Sequence, residues 1–291
     1  MTEICFKQVD VFTAERFMGN PVAVVLEAEG LSDDQMQQIA NWTNLSETTF
    51  VLPKKEAVAD YRVRIFTPGS ELPFAGHPTI GTAHALLEAG VIHASAGVVI
   101  QECGVGLVRL HVSVDKLANQ VIAFELPEAT ITTLQDAEVR QLEAILGMPV
   151  HGPRPALVDV GARWIVAQLP DARQVLENQP DLEQMKIHNL KARATGVVIF
   201  GKHQDGSDAG VEVRAYAPAC GVNEDPVCGS GNGAMAAFIR DTGQASDFGT
   251  SLLASQGVKV NRRGFIQLSI TGDVITVGGN AVTCISGTMS I

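Results

Sequence analysis

Cysteine is sparse and scattered in this sequence: Cys5, Cys103, Cys220, Cys228 and Cys284 are odd in number and widely spaced, so neither a disulfide framework nor a zinc motif follows. The seven histidines include no His-Glu-x-x-His and no tight cluster. No Gly-x-x-x-x-Gly-Lys-Ser/Thr and no Gly-x-Gly-x-x-Gly is met either, which removes the P-loop and the dinucleotide fingerprint. Neither a metal nor an organic cofactor is therefore expected. Basic residues are in the minority, 21 against 32 acidic ones, and the net charge of -11 argues against general binding to nucleic acid or an acidic membrane. There is no long apolar run, and the opening Met-Thr-Glu-Ile-Cys-Phe-Lys has no basic region leading into one, so the expected compartment is the cytoplasm.

What is present is enough apolar material for a large core. A chain of 291 residues, 46% apolar and 18% charged, fits a compact protein long enough for two domains. Its organising stretch runs from Phe66 to Leu87. It reads as a strand ending at Thr67, a turn region with two prolines and two glycines, and a helix holding Pro78 in its first turn. The free amides around Gly76 and His77 at such a helix start favour a carboxylate or another anion, with an imidazole beside them.

The same construction recurs about 150 residues later. Val63-Arg-Ile-Phe-Thr-Pro68 is echoed by Val213-Arg-Ala-Tyr-Ala-Pro218, and the second run leads to Glu224-Asp225-Pro226-Val-Cys228-Gly229-Ser230-Gly-Asn-Gly233 and a small-residue helix. Upstream, Val9-Asp-Val11 with Pro21 to Leu26 is loosely answered by Val158-Asp-Val160 with Trp164 to Leu169, and each is followed by a polar helical stretch and a strand. Four matches in the same order predict an internal duplication, and with it two helix starts facing one ligand cleft.

In order along the chain, Phe6 to Phe12 and Pro21 to Leu26 read as strands, Ser32 with Gln35 as a capping box for a helix to about Trp42, and Thr48 to Leu52 and Tyr61 to Phe66 as strands. A helix from Pro78 to about Leu87 precedes a hairpin around Gly104 and Gly106 and a strand from Val121 to Glu125. Pro127 to Thr133 reads as the crossing into the second half. Helices over Gln135–Leu146, Asp171–Gln179 and Leu182–Ile187 and strands near Leu157, Trp164, Thr195–Phe200 and Val211–Tyr216 follow, and the tail supplies three short strands between Phe265 and Ile285. Many short strands with few helices predict an α+β fold with curved or barrel-like sheets.

Taken singly, the candidates are ambiguous. Glu47 stands at a loop-to-strand boundary, where a glutamate is ordinarily solvated. Gly229-Ser-Gly231-Asn-Gly233 is as compatible with close helix packing as with a ligand site. Asp225 beside free helix amides is more informative, because its proton state would respond to an occupied cleft. His84, on the same helix face as His77 but about 10 Å away along the axis, is expected to pack or to make a structural hydrogen bond. Cys228 sits where a thiolate is favoured, but the first half offers Ala75-Gly76 at that place, so a two-thiol shuttle lacks its partner. Trp42 and Trp164 are expected in the core or an interface.

Together, these segments resemble the PhzF family of phenazine-biosynthesis-like proteins, whose fold is similar to that of diaminopimelate epimerase. The resemblance is carried by Gln8-Val-Asp-Val-Phe12, Phe17-Met-Gly-Asn-Pro21, Asn44-Leu-Ser-Glu-Thr48, Phe66-Thr-Pro68, Glu71-Leu-Pro-Phe-Ala-Gly-His-Pro-Thr79, Glu224-Asp-Pro226, Gly229-Ser230 and Val277-Gly-Gly-Asn-Ala-Val282. It implies duplicated domains, each a curved barrel-like sheet around a central helix: residues 1–128 completed by the C-terminal strand 279–291, and residues 129–278. It also implies catalytic roles for Glu47, His77 and Asp225 and substrate contacts from Gly76, Gly229 and Ser230. The activity implied is a cofactor-independent isomerisation, similar to that of trans-2,3-dihydro-3-hydroxyanthranilate, on a small, cyclic or amino, anionic carboxylate, by a homodimer.

In that chemistry Glu47 would carry the proton, His77 and Asp225 would manage amino or hydroxyl groups and the second protonation, and the amides near Gly76 and Gly229 with the Ser230 hydroxyl would hold the carboxylate. Where the family often reads Glu-Asp-Pro-x-Thr-Gly-Ser-Ala, Cys228 and Gly231-Asn-Gly233 depart from the pattern; on the pocket floor they would bear on substrate more than on fold. The alternatives are a cofactor-independent amino-acid epimerase or racemase and a non-catalytic small-acid binder.

Overall fold

The fold is seen in a computed structural model that describes residues 3–291; Met1 and Thr2, the first residues of the expected N-terminal domain, lie outside the described residues. The chain divides into two compact units, residues 1–125 with 278–291, and residues 126–277.

The first unit begins with β1 (Glu3–Val11), β2 (Asn20–Val25), α1 (Asp33–Thr43), β3 (Thr48–Leu52), β4 (Tyr61–Phe66), β5 (Glu71–Leu72), α2 (Gly76–Glu88), β6 (Val98–Cys103), β7 (Gly106–Val114) and β8 (Gln120–Glu125). The second contains β9 (Thr130–Thr133), α3 (Asp136–Leu146), β10 (His151–Asp159), β11 (Arg163–Gln168), α4 (Ala172–Glu177), α5 (Leu182–Ala192), β12 (Gly196–Lys202), β13 (Val211–Ala217), β14 (Val222–Asp225), α6 (Gly229–Asp241), α7 (Ala245–Phe248), β15 (Ser251–Gln256), β16 (Gly264–Thr271) and β17 (Val274–Gly279). Strand β18 (Ala281–Ser290) belongs to the first unit and lies antiparallel beside β1.

Pairing follows one scheme in both units. In the first, β1 and β2 are antiparallel, β2 and β3 parallel, β3 and β4 antiparallel, and β4 is parallel to β6. In the second, β10 and β11 are antiparallel, β11 and β12 parallel, β12 and β13 antiparallel, and β13 is parallel to β15. Strand β9, which Pro127 to Thr133 had been expected to spend as a crossing, pairs antiparallel with β10. It fills in the second unit the place that β18 fills beside β1, so each unit is a curved α+β sheet of the same design.

In each unit the strands wrap a helix. Helix α2 packs against β1, β2, β3, β8 and β18, and α6 packs against β10, β11, β12 and β16. Both helices are apolar or small-residued nearly all round, the pattern of an element surrounded by protein. Close approach demands glycine on each: a Cβ at Gly81 would stand 2.4 Å from a methyl of Val22, and one at Gly233 2.6 Å from a methyl of Leu126. The polar side chains of α2 are satisfied by the sheet, with Thr82 donating to Thr49 at 2.8 Å and Thr79 accepting from Gln101 at 3.0 Å. A second core layer lies outside each sheet, around Met36, Phe50 and Phe66 under α1 and around Leu142, Ile145, Met185 and Tyr216 under α3 and α5.

The Ser32–Gln35 capping box forms as expected, and α1 ends at Asn44 in the left-handed conformation. Trp42 is 79% exposed and takes no part in the core, because it lies on the outer face of α1. Strand β15 has no counterpart in the expected element list: its inward residues are Leu252, Ala254 and Gln256, too mixed to show an apolar alternation.

Candidate active site

In the first unit the site is built where β3 and α2 begin. Glu47 immediately precedes β3, and its backbone carbonyl accepts from Ala23 on β2 at 3.4 Å, which fixes the residue at the sheet end. Helix α2 starts at Gly76 with Ala75 as its cap residue; Ala75 offers no side-chain acceptor, so the first-turn amides keep their capacity for an anion. A Cβ at Gly76 would meet the Phe124 ring at 2.6 Å, so this approach requires glycine. His77 follows, 8% exposed, with Nε2 3.3 Å from Oε2 of Glu47. Burial pushes its pKa down to about 3, only partly offset by a hydrogen bond to the Pro21 carbonyl. A neutral imidazole has one N–H; giving it to Pro21 leaves a lone pair on Nε2, the atom facing Glu47.

In the second unit the corresponding turn runs from β14 into α6. Asp225 ends β14, and its Oδ1 accepts from the Val227 amide at 3.0 Å. Burial, with a smaller contribution from the charge of Glu224, pushes its pKa up to about 6, against the lowering effect of the Val227 amide and the Cys228 thiol. Cys228 caps α6, its buried sulfur accepting from the Gly231 amide at 3.3 Å and lying 3.7 Å from Ser230 Oγ. Gly229 opens the helix, and Ser230 Oγ accepts from the Trp164 indole N–H at 3.0 Å. The geometry thus groups Glu47, His77 and Gly76 at one helix start and Asp225, Gly229 and Ser230 at the other. His84 sits away from the first group, 3.2 Å from Thr283 Oγ1.

Three residues that bond within or to this second turn were not singled out as site residues by the sequence. Gln256, 1% exposed, accepts from the Cys228 amide at 3.1 Å and from Asn232 at 2.8 Å, and donates to the Asp225 carbonyl at 2.8 Å. Asn232 also donates to the Cys228 carbonyl at 2.9 Å. Within the Gly-Asn-Gly departure, Asn232 therefore ties the fold of the turn together. Trp164, read from sequence as a core or interface residue, is 2% exposed and reaches Ser230 with its one polar side-chain atom. A long-range donor on another strand leaves no local sequence signal.

The two turns follow the same pairing register. Arg64 forms a bidentate pair with Glu71 at 2.7 Å and lies 5.0 Å over the Phe66 ring; Arg214 pairs in the same two-pronged way with Glu224 at 3.0 and 2.7 Å and lies 5.0 Å over the Tyr216 ring. With Phe66 and Tyr216 aligned, the partners Thr48 and Val197 align, and so do Glu47 and Gly196. Ile65 pairs with Leu72 and Ala215 with Asp225, which aligns Leu72 with Asp225 and Ala75 with Cys228. His77 then corresponds to Ser230. Each unit has a carboxylate where the other has none. Among the described residues no three His, Cys, Asp or Glu side chains are grouped to hold one metal ion, and no helix is long and apolar enough to cross a membrane.

Comparison with known proteins agrees with this plan. The family model described as phenazine biosynthesis-like protein matches residues 9–287. The chain belongs to the PhzF family. Within that family, the trans-2,3-dihydro-3-hydroxyanthranilate isomerase of Pseudomonas chlororaphis is 32% identical to it over 97% of both chains. The antisense-enhancing sequence 1 protein of Schizosaccharomyces pombe is 43% identical over 99% of both. Among solved structures, a PhzF-family protein of Bacillus anthracis covers 100% of both chains at a TM-score of 0.86 and 24% identity. The fold extends to a hydroxyproline epimerase of Agrobacterium vitis, with a TM-score of 0.65 and 16% identity over 99% of this chain and 91% of that one. This PhzF-family chain is an isomerase, built on duplicated diaminopimelate epimerase-like domains.

Proposed function

We propose that this PhzF-family chain is a cofactor-independent isomerase that moves a proton between two carbons of a small, cyclic or amino, carboxylic acid. The observation that carries the reading is the pairing of Glu47 with a buried, neutral His77 at an uncapped helix start. The Glu47 carboxylate takes a proton from an acidic C–H, leaving an electron pair delocalised toward the substrate's unsaturation. The carboxylic acid so formed donates to His77 Nε2, which holds it in place, and then returns the proton to a second carbon. No electrons are gained or lost. A base so positioned contributes about 10²–10⁴-fold.

Asp225 is assigned the second proton-managing role. A carboxyl whose pKa is pushed up to about 6 keeps a protonated fraction near neutrality and can donate to an amino or hydroxyl group on the substrate. The amides at Gly76 and Gly229 and the Ser230 hydroxyl are assigned to the substrate carboxylate. That the two units carry their carboxylates at non-equivalent positions supports one base and one acid rather than two like groups.

The two-thiol epimerase reading is not favoured, because the position of Cys228 is taken in the first unit by Ala75. We also infer a homodimer, from the family resemblance; sedimentation as a monomer at micromolar concentration would contradict it. The function itself is tested by incubating the protein in D2O with trans-2,3-dihydro-3-hydroxyanthranilate and a panel of cyclic and amino carboxylates. Deuterium entering at carbon is the expected result. Tight binding with no exchange by any member would leave a non-catalytic binder.

A further inference from the structure

Glu47 and Gly196 hold equivalent positions in the two units, as do Val22 and Trp164, because β2 and β3 pair Ala23 with Thr48 where β11 and β12 pair Ile165 with Val197. The bulk is exchanged between the two places. In the first unit a small Val22 accompanies a glutamate; in the second, a large indole accompanies a glycine. Space requires glycine at 196, since a Cβ there would stand 2.0 Å from the Tyr216 carbonyl oxygen and 2.6 Å from Trp164 Cζ3. Where the first unit sets a carboxylate against His77, the second sets an indole N–H against Ser230, the equivalent of His77.

The chemistry of that contact has a direction. An indole N–H only donates, so Ser230 Oγ is the acceptor in the 3.0 Å bond from Trp164. The hydroxyl proton must then go elsewhere. Among the described residues its other contact is Cys228 Sγ at 3.7 Å, a weak acceptor, and Ser230 is itself partly exposed. We propose that Trp164 is a positioning residue: by occupying the acceptor side of Ser230 Oγ it fixes the hydroxyl as a donor to the carboxylate of the substrate. This rests on the assignment of Ser230 to the substrate carboxylate made above, and it adds a residue that touches neither substrate nor proton.

The test is a double-mutant cycle read by binding. The probe is 2-aminobenzoate, an amino carboxylate without a transferable C–H proton, titrated calorimetrically into the wild type, Trp164→Phe, Ser230→Ala and the double variant. Trp164→Phe and Ser230→Ala are each expected to weaken binding about tenfold, the usual scale for a hydrogen bond to a charged group. The double variant should bind no worse than Ser230→Ala, within about twofold, because the indole acts through the hydroxyl. If Trp164→Phe does not fold, 3-benzothienylalanine at position 164, which replaces the N–H by sulfur and keeps the ring shape, takes its place in the cycle. Wild-type affinity in either Trp164 variant, or losses that multiply to about a hundredfold in the double variant, would overturn the proposal. So would a wild type that fails to bind the probe. Failure of the isomerase reading alone looks different: the probe binds and the cycle is coupled, but no substrate takes up deuterium.

Discussion

His77 Nε2 stands 3.3 Å from Glu47 Oε2 on an imidazole that burial keeps neutral, so the contact is not an ion pair of fixed charge. Burial thus separates two titrating groups by the pH range in which each changes charge. His77, with a pKa pushed down to about 3, does not change charge between pH 5 and 8, whereas Asp225, pushed up to about 6, does.

The pH dependence of kcat/KM should therefore report Asp225. With Asp225 as proton donor, kcat/KM is expected to fall as pH rises through about 6. In kcat the limb should move to higher pH, because a bound carboxylate further disfavours the charged form. Asp225→Asn should remove the limb and lower the rate at pH 5.5 by at least about tenfold. A limb near 6 that persists in Asp225→Asn would assign it to another group.

Stability should follow the same groups with opposite signs. A carboxyl whose pKa is raised on folding stabilises fully below its unfolded value near 3.8 and loses that contribution as pH rises through about 6. Asp225→Asn is thus expected to stabilise the protein by ~1–3 kcal/mol at pH 7.5, and by much less at pH 4, in denaturant titrations. A histidine whose pKa is lowered does the reverse: its contribution is intact above about 6.5 and is lost as pH falls toward 3, so His77→Gln should flatten the acid side of the stability profile.

The paired arginines should differ in weight. Arg214 and Glu224 have side chains only 8% and 10% exposed, whereas Arg64 and Glu71 are 20% and 42% exposed. Arg214→Ala leaves a buried carboxylate uncompensated and is expected to cost about 3–5 kcal/mol; Arg64→Ala should cost about 1 kcal/mol. Because Glu224 precedes Asp225, Arg214→Ala should also disturb the second turn. Equal losses in thermal unfolding would contradict this.

The duplication was legible because both turns are announced locally, by a strand, an arginine two residues from an aromatic, and a glycine-rich helix start. Helix α1 was legible through Ser32 and Gln35, which need only each other. What was not legible depends on contacts between distant strands. Gln256 lies on β15, whose inward side mixes Leu252 with Ala254 and Gln256, and its three bonds to the Asp225–Asn232 turn span more than twenty residues. Strand β9 was read as a connection because Thr130 to Thr133 shows no apolar alternation; its pairing with β10 supplies the order. Trp164 looked like any core or interface tryptophan, and only its geometry ties it to Ser230.

The most direct test of the carboxylate shuttle sets Glu47→Gln beside Cys228→Ser on one accepted substrate, measuring deuterium uptake at carbon and binding for each. Glu47→Gln keeps size and much of the hydrogen bonding but removes the base, so exchange should fall by at least about 100-fold while affinity changes far less. Cys228→Ser keeps a small acceptor at the start of α6 and should retain most of the exchange. Robust exchange in Glu47→Gln together with its collapse in Cys228→Ser would contradict the account and place the proton on sulfur.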